Sequence, residues 1–182
     1  MDIYQSVFEL IDMRSFSNLW YWIVLAVMWS SASHWVLGVP YDIVQRARNQ
    51  ISRGMEDADQ TTKDLEALIR INTNRLNTVS EIGGFVMLIV LFFMLSSLFT
   101  LGFIFWLEFS QALFLLLFPL SAVMFLSVRA ALVVRRDQIS GVDLINMLAR
   151  LRLNIQLIGM FSILVTSMWG MYQNISATVL GV

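Results

Sequence analysis

His34 is the sole histidine of a 182-residue chain that has no cysteine, and with Ser30 one helical turn before it this pair is the best candidate for chemistry. A serine four residues from a base imitates an activated nucleophile, but no third orienting group and no Gly-flanked nucleophile turn accompany it. A histidine on a membrane-crossing face is a functional suspect, for a haem or quinone among other ligands. Haem held by two histidines would draw the second from another subunit, although 11 methionines offer axial thioethers. The plainer role for His34 is a structural hydrogen bond. Ser30 and His34 are therefore the candidate cofactor-binding residues, with no cofactor assigned, no catalytic residue named and no enzyme expected.

Other chemistry is narrowed by what the chain contains. Lack of cysteine removes disulfides, thiolate metal sites and a cysteine nucleophile together, and neither a Gly-rich phosphate loop nor a zinc signature occurs. The apolar stretches hold no Asp, Glu, Lys or Arg in their middles, which counts against a pump or an ion-coupled transporter. A net charge of -1 gives no basic face for nucleic acid. Asn174-Ile175-Ser176 matches a glycosylation acceptor, a pattern short enough to arise readily by chance.

The elements that must position these residues follow from hydropathy. Hydrophobic residues make up 58% of the chain and charged ones 14%, with a mean hydropathy of +0.71, beyond what a soluble core of this size absorbs. The expected fold is all-α: a polytopic membrane protein with a four-transmembrane-helix bundle and cytoplasmic helical extensions, forming a single membrane domain over residues 1–182. The crossings are expected at about 17–38, 84–107, 110–128 and 153–173, each long enough for a hydrocarbon core of roughly 30 Å. The first is expected to stay in the mature protein, because the chain starts Met1-Asp2-Ile3 and the apolar run exceeds that of a signal peptide. Glu108 and Phe109 leave room only for a tight turn between the second and third, and Pro119 should kink the third.

Of 12 Lys and Arg residues, all but Arg14 lie in segments 41–82 and 129–152. Cytoplasmic loops retain Lys and Arg, so both segments are placed in the cytoplasm, with both termini and the Glu108 turn outside. Trp20, Tyr21, Trp22, Trp106, Trp169 and Tyr172 all fall at the expected outer boundary, where amphipathic rings prefer to sit.

The cytoplasmic segment 41–82 reads as two helices with a break near Gly54. Tyr41 to Ser52 is amphipathic, Val44, Ala47 and Ile51 opposing Arg46, Asn49 and Arg53, and suits the inner membrane surface. From Thr61 onward Leu65, Ile69, Leu76 and Val79 recur at helical spacing with Asn72 in the same seam, on a helix expected to run on into the second crossing. Such a stripe ordinarily marks a buried face, here against Leu144, Met147, Leu148 and Leu151. The sharper alternative is a docking surface, with Leu65, Ile69, Asn72 and Leu76 as the candidate partner-binding residues. Small residues also line up at helical spacing in the crossings: Ala26, Ser30, His34 and Gly38; Ser96 and Thr100; Ser162, Thr166, Gly170 and Asn174. They suit close helix packing in lipid. Residues Met1 to Arg14, with Val7, Phe8, Leu10 and Ile11 among acids, suit an interfacial helix on the outer surface.

The run from Met1 to Trp22, the segment Ser33-His34-Trp35-Val36-Leu37-Gly38-Val39-Pro40-Tyr41-Asp42, and Gln156-Leu157-Ile158-Gly159 through Trp169-Gly170-Met171-Tyr172-Gln173-Asn174 resemble a family of small alphaproteobacterial membrane proteins often labelled a component of the SufBCD complex. The resemblance spans the chain, strongest at both ends and weakest from Ser52 to Asp64, and implies a bacterial inner-membrane location. Clusters of iron and sulfur are held mainly by cysteine thiolates, so for this chain the label translates to association rather than cluster binding. The expected function is a non-catalytic scaffold or accessory subunit, anchored in the lipid bilayer and bound to protein partners of a larger membrane complex. A quinone, haem or lipid site near His34 is the alternative.

Overall fold

The computed structural model describes residues 15–55 and 58–180, and over them the chain is almost entirely helical. A short 3-10 turn at Ser15–Ser17 leads into α1 (Leu19–His34), two short antiparallel strands β1 (Trp35–Val36) and β2 (Val39–Pro40), and α2 (Tyr41–Arg53). Then come α3 (Ala58–Phe99), a π-helical turn (Thr100–Ile104), α4 (Glu108–Arg136) and α5 (Gly141–Leu180). Three stretches are long and apolar enough to cross a membrane: Gly83–Ile104, Glu108–Arg136 and Gly141–Ser176. The interfacial helix expected over Met1 to Arg14 lies outside the described residues.

The stretch expected as a first crossing to Gly38 is helical only to His34, and the 16 residues of α1 rise about 24 Å. What stops the helix is a hairpin, in which Trp35 pairs with Pro40 and Val36 with Val39. Leu37 and Gly38 between them have φ of 50° and 74°, the two left-handed residues that a two-residue hairpin loop of matching twist requires. Glycine takes that conformation freely, whereas a leucine is strained there by about 1–2 kcal/mol. The Leu37 side chain is 4% exposed, and burying it contributes about 1.5–3 kcal/mol, enough to hold the strained backbone.

The tight turn expected at Glu108 and Phe109 falls earlier, on Phe105, Trp106 and Leu107, with Trp106 at φ 57°. Glu108 instead opens α4, where a carboxylate complements the positive end of the helix dipole. Its Oε1 accepts the backbone N–H of Phe16 at 2.8 Å, which ties the start of the described chain to this helix end. α4 continues through Pro119.

The chain divides into two compact units, one of Met1–Trp29, Leu88–Ser121 and Ile158–Val182, the other of Ser30–Met87 and Ala122–Leu157. In the first, Phe16, Tyr21, Leu25 and Trp29 are buried with Leu95, Ala112 and Leu116. The rings of Phe16 and Tyr21 meet edge to face at 5.3 Å, and Phe99, Phe103, Phe114 and Trp169 form a run of ring contacts.

Small residues serve one helix here and not the other. On α5, Ser162, Thr166 and Gly170 of the expected stripe share a buried face with Gly159, while Asn174 at its end is exposed. On α1 the small stripe is the exposed one: Ala26, Ser30 and His34 face outward while Tyr21, Leu25 and Trp29 pack. Shape explains the asymmetry, since close packing sets large groups against small ones. A Cβ on Gly159 would lie 2.8 Å from Trp29 Cε3, and one on Gly170 would lie 3.3 Å from Phe16 Cδ1 and from Trp22 Cζ2.

In the second unit Val36, Leu37 and Val39 of the hairpin are buried together with Val44 and Ala47 of α2. Leu65 and Ile69 of α3, Ala131 and Val134 of α4, and Leu144, Leu148 and Leu151 of α5 complete that core. The apolar face of α2 is thus covered by the chain itself, with only Ile51 at its end exposed.

Candidate functional site

The residues singled out for a cofactor do not enclose one. Ser30 and His34 lie on the outward face of α1, both exposed, and the His34 ring has an edge contact with Trp35 at 5.9 Å. Ser30 offers its backbone carbonyl to the Ser33 hydroxyl at 3.0 Å. Both therefore stand on the outer side of the helix: α1 turns its large residues inward, and the hairpin that begins at Trp35 ends it at His34 itself.

The candidate docking stripe separates into different roles. Leu65 and Ile69 are 0% and 1% exposed, packed into their own unit and closed to any partner. Asn72 donates its Nδ2 to the Gly38 carbonyl at 3.2 Å, bracing the turn of the hairpin, and Leu76 is half-buried. Val79 falls among side chains that are not described. One turn after Ile69, Thr73 is buried with its hydroxyl donating to the Ile69 carbonyl at 2.8 Å. Of the expected packing partners Leu144, Leu148 and Leu151 are buried and Met147 is half-buried. Glu66, which the apolar pattern passes over, accepts the Gly141 N–H at 2.6 Å, so a carboxylate holds the first residue of α5 where the helix dipole favours negative charge.

The face of α3 that stays open is the neighbouring one, carrying Leu68 at 40% and Ile71 at 56% exposure. They stand three residues apart, hence side by side on the helix surface, before the apolar stretch Gly83–Ile104. Within that stretch exposure is general: Phe85 through Val90 are each at least 47% exposed, more than a full turn, so among the described residues nothing covers a face of the helix there.

Sequence reading also passed over Gln111, fully buried in the first unit. Its Nε2 donates to the Gly102 carbonyl at 2.8 Å, and its Oε1 accepts from Trp169 Nε1 at 3.0 Å and from Gln173 Nε2 at 2.6 Å. The signal was there to find, an amide within an apolar run, which lipid leaves without a partner unless another helix supplies one. Gly102 lies in the π-turn, whose Thr100 carbonyl accepts from the Phe105 N–H at 3.2 Å. A Cβ at Gly102 would sit 2.9 Å from the Gln111 backbone nitrogen, so glycine is what lets the two backbones approach.

No family model matches the chain, and no curated protein and no solved structure matches it.

Proposed function

We propose that the protein is a non-catalytic scaffold or accessory subunit of a larger assembly in the bacterial inner membrane. In this reading it crosses on four helices with both termini outside. The 24 Å or so of α1, lengthened by the hairpin at one end and the 3-10 turn at the other, makes the shortest pass. The partition of Lys and Arg sets the orientation.

The observation that carries the reading is the open pair Leu68 and Ile71. On the proposed threading they lie on the cytoplasmic stretch of α3, where water, not lipid, surrounds them. Two large apolar side chains kept side by side in water, on a helix whose other face is already packed, suit a partner helix laid along it. Purification of the tagged protein in mild detergent tests this. The wild type is expected to carry a stoichiometric protein partner that the variant L68S/I71S loses while keeping its own elution profile. A partner-free wild type, or a partner retained by the variant, would overturn it.

A further inference from the structure

We infer that a groove on the second unit binds the phosphate of an anionic phospholipid headgroup. The groove, of about 530 Å³, lies between the start of α2 and the middle of α5 and is lined by Tyr41, Arg48, Asn146, Arg150, Arg152 and Gln156, with no Asp or Glu among the described residues of its walls. Its construction follows from the helices. Tyr41 and Arg48 stand two turns apart on one face of α2, and Asn146, Arg150 and Leu153 follow one another at helical spacing on α5.

Arg152 is the centre of the site. Its guanidinium lies over the Tyr41 ring, 3.8 Å from the centroid. Stacking holds the guanidinium plane in place while leaving its N–H edge free to donate. The Nε of Arg152 is buried and among the described residues has no hydrogen-bond partner, an arrangement that an oxygen acceptor in the groove would satisfy. Arg48 and Arg150 are exposed at the same groove, and among the described residues neither forms an ion pair with a carboxylate. Three guanidinium groups around one open space match an oxyanion with several acceptor oxygens.

The source of the phosphate follows from the rim. Leu153, 56% exposed, borders the groove, and Leu157 one turn further along α5 is 51% exposed, an apolar path for an acyl chain leading away from the arginines. Basic pockets between helices at the inner boundary are where anionic headgroups bind. The inference rests on the membrane reading above, which carbonate extraction of membranes tests on its own: full-length protein in the washed supernatant would defeat that reading without any lipid measurement.

Native mass spectrometry of the full chain in an uncharged detergent tests the groove, titrating phosphatidylglycerol, phosphatidylethanolamine and inorganic phosphate. Phosphatidylglycerol is expected to bind at least about tenfold more tightly than phosphatidylethanolamine. R48Q/R150Q should weaken it by about fivefold per arginine removed, while R129Q/R136Q, with the same charge loss outside the groove, leaves it unchanged. R152K keeps the charge but loses the planar fork and should weaken binding with the fold intact. Equal uptake of the two lipids, or equal loss in the two double variants, overturns the site. Inorganic phosphate displacing the lipid at matching concentration overturns the lipid and leaves a soluble anion.

Discussion

The indole N–H of Trp169 donates to the side-chain oxygen of Gln111 at 3.0 Å, within the first unit. Gln173 donates to the same oxygen at 2.6 Å, and the Gln111 amide donates to the Gly102 carbonyl at 2.8 Å. Gln111 thus uses both acceptor positions and one of its two donors. A single amide couples α4, α5 and the π-turn, and a carbonyl released by irregular winding finds its donor.

Replacing Gln111 with leucine keeps the bulk and strands three partners at once. An unsatisfied buried group costs about 1–3 kcal/mol, while couplings measured in lipid average about 0.6 kcal/mol because the unpacked chain finds other partners. Q111L is therefore expected to lower stability by about 1–3 kcal/mol. Thermal unfolding in detergent, followed by tryptophan fluorescence, checks it, and an unchanged Tm would show that the network contributes nothing.

Three glycine-to-alanine variants should rank by what the added carbon meets. At Gly102 it meets the Gln111 backbone at 2.9 Å, at Gly159 the Trp29 ring at 2.8 Å, and at Gly83 nothing within 4 Å. Overpacking of this kind costs roughly 1–3 kcal/mol, whereas alanine at an open helical position gains up to about 1 kcal/mol. G102A should be the worst, since a backbone yields less than a side chain, G159A next, and G83A neutral or stabilising. The same melts rank them.

The buried and open faces of α3 are expected to fail differently. Leu65→Ala and Ile69→Ala each empty a fully packed position and should cost about 2–5 kcal/mol, seen as loss of monodisperse protein on size exclusion. L68S and I71S, on the open face, should leave the elution profile intact. Equal loss of folded protein from both pairs would remove the distinction between core and docking face.

On the proposed threading, which keeps the basic segments in the cytoplasm, alkaline phosphatase fused after Glu108 is expected to be active and fused after Asp137 inactive, because that enzyme folds only outside the cytoplasm. The reverse pattern would invert the proposed threading.

Helical content and three of the four expected apolar spans were legible because they rest on composition over about twenty residues, which no single contact alters. Leu65 and Ile69 were legible as a buried face by the same logic of periodicity. The outward turn of Ser30 and His34 was not: small residues at helical spacing say that a helix can approach another closely, not which of two helices supplies the small side. Nor was the stop at His34 visible, since Leu37 in a left-handed conformation contradicts local preference and is held there by tertiary burial. Glu66 and Gln111 escaped for a related reason. One polar side chain has no period, and its importance comes from a backbone group on another helix.

The π-turn holds one residue more than regular winding would need, and each residue of an α-helix advances the side chains by about 100°. The π-turn closes α3 directly before the bend at Phe105, Trp106 and Leu107, so a residue removed from it turns everything beyond the deletion by about that angle against the helix that leads in. Deleting the codon for Thr100 or Leu101 would swing Phe103 away from Trp169 and withdraw the Gly102 carbonyl from its Gln111 donor. Swapping any one side chain in the turn for another of similar size would do none of these, so reading-frame-preserving deletions should be far less tolerated here than substitutions.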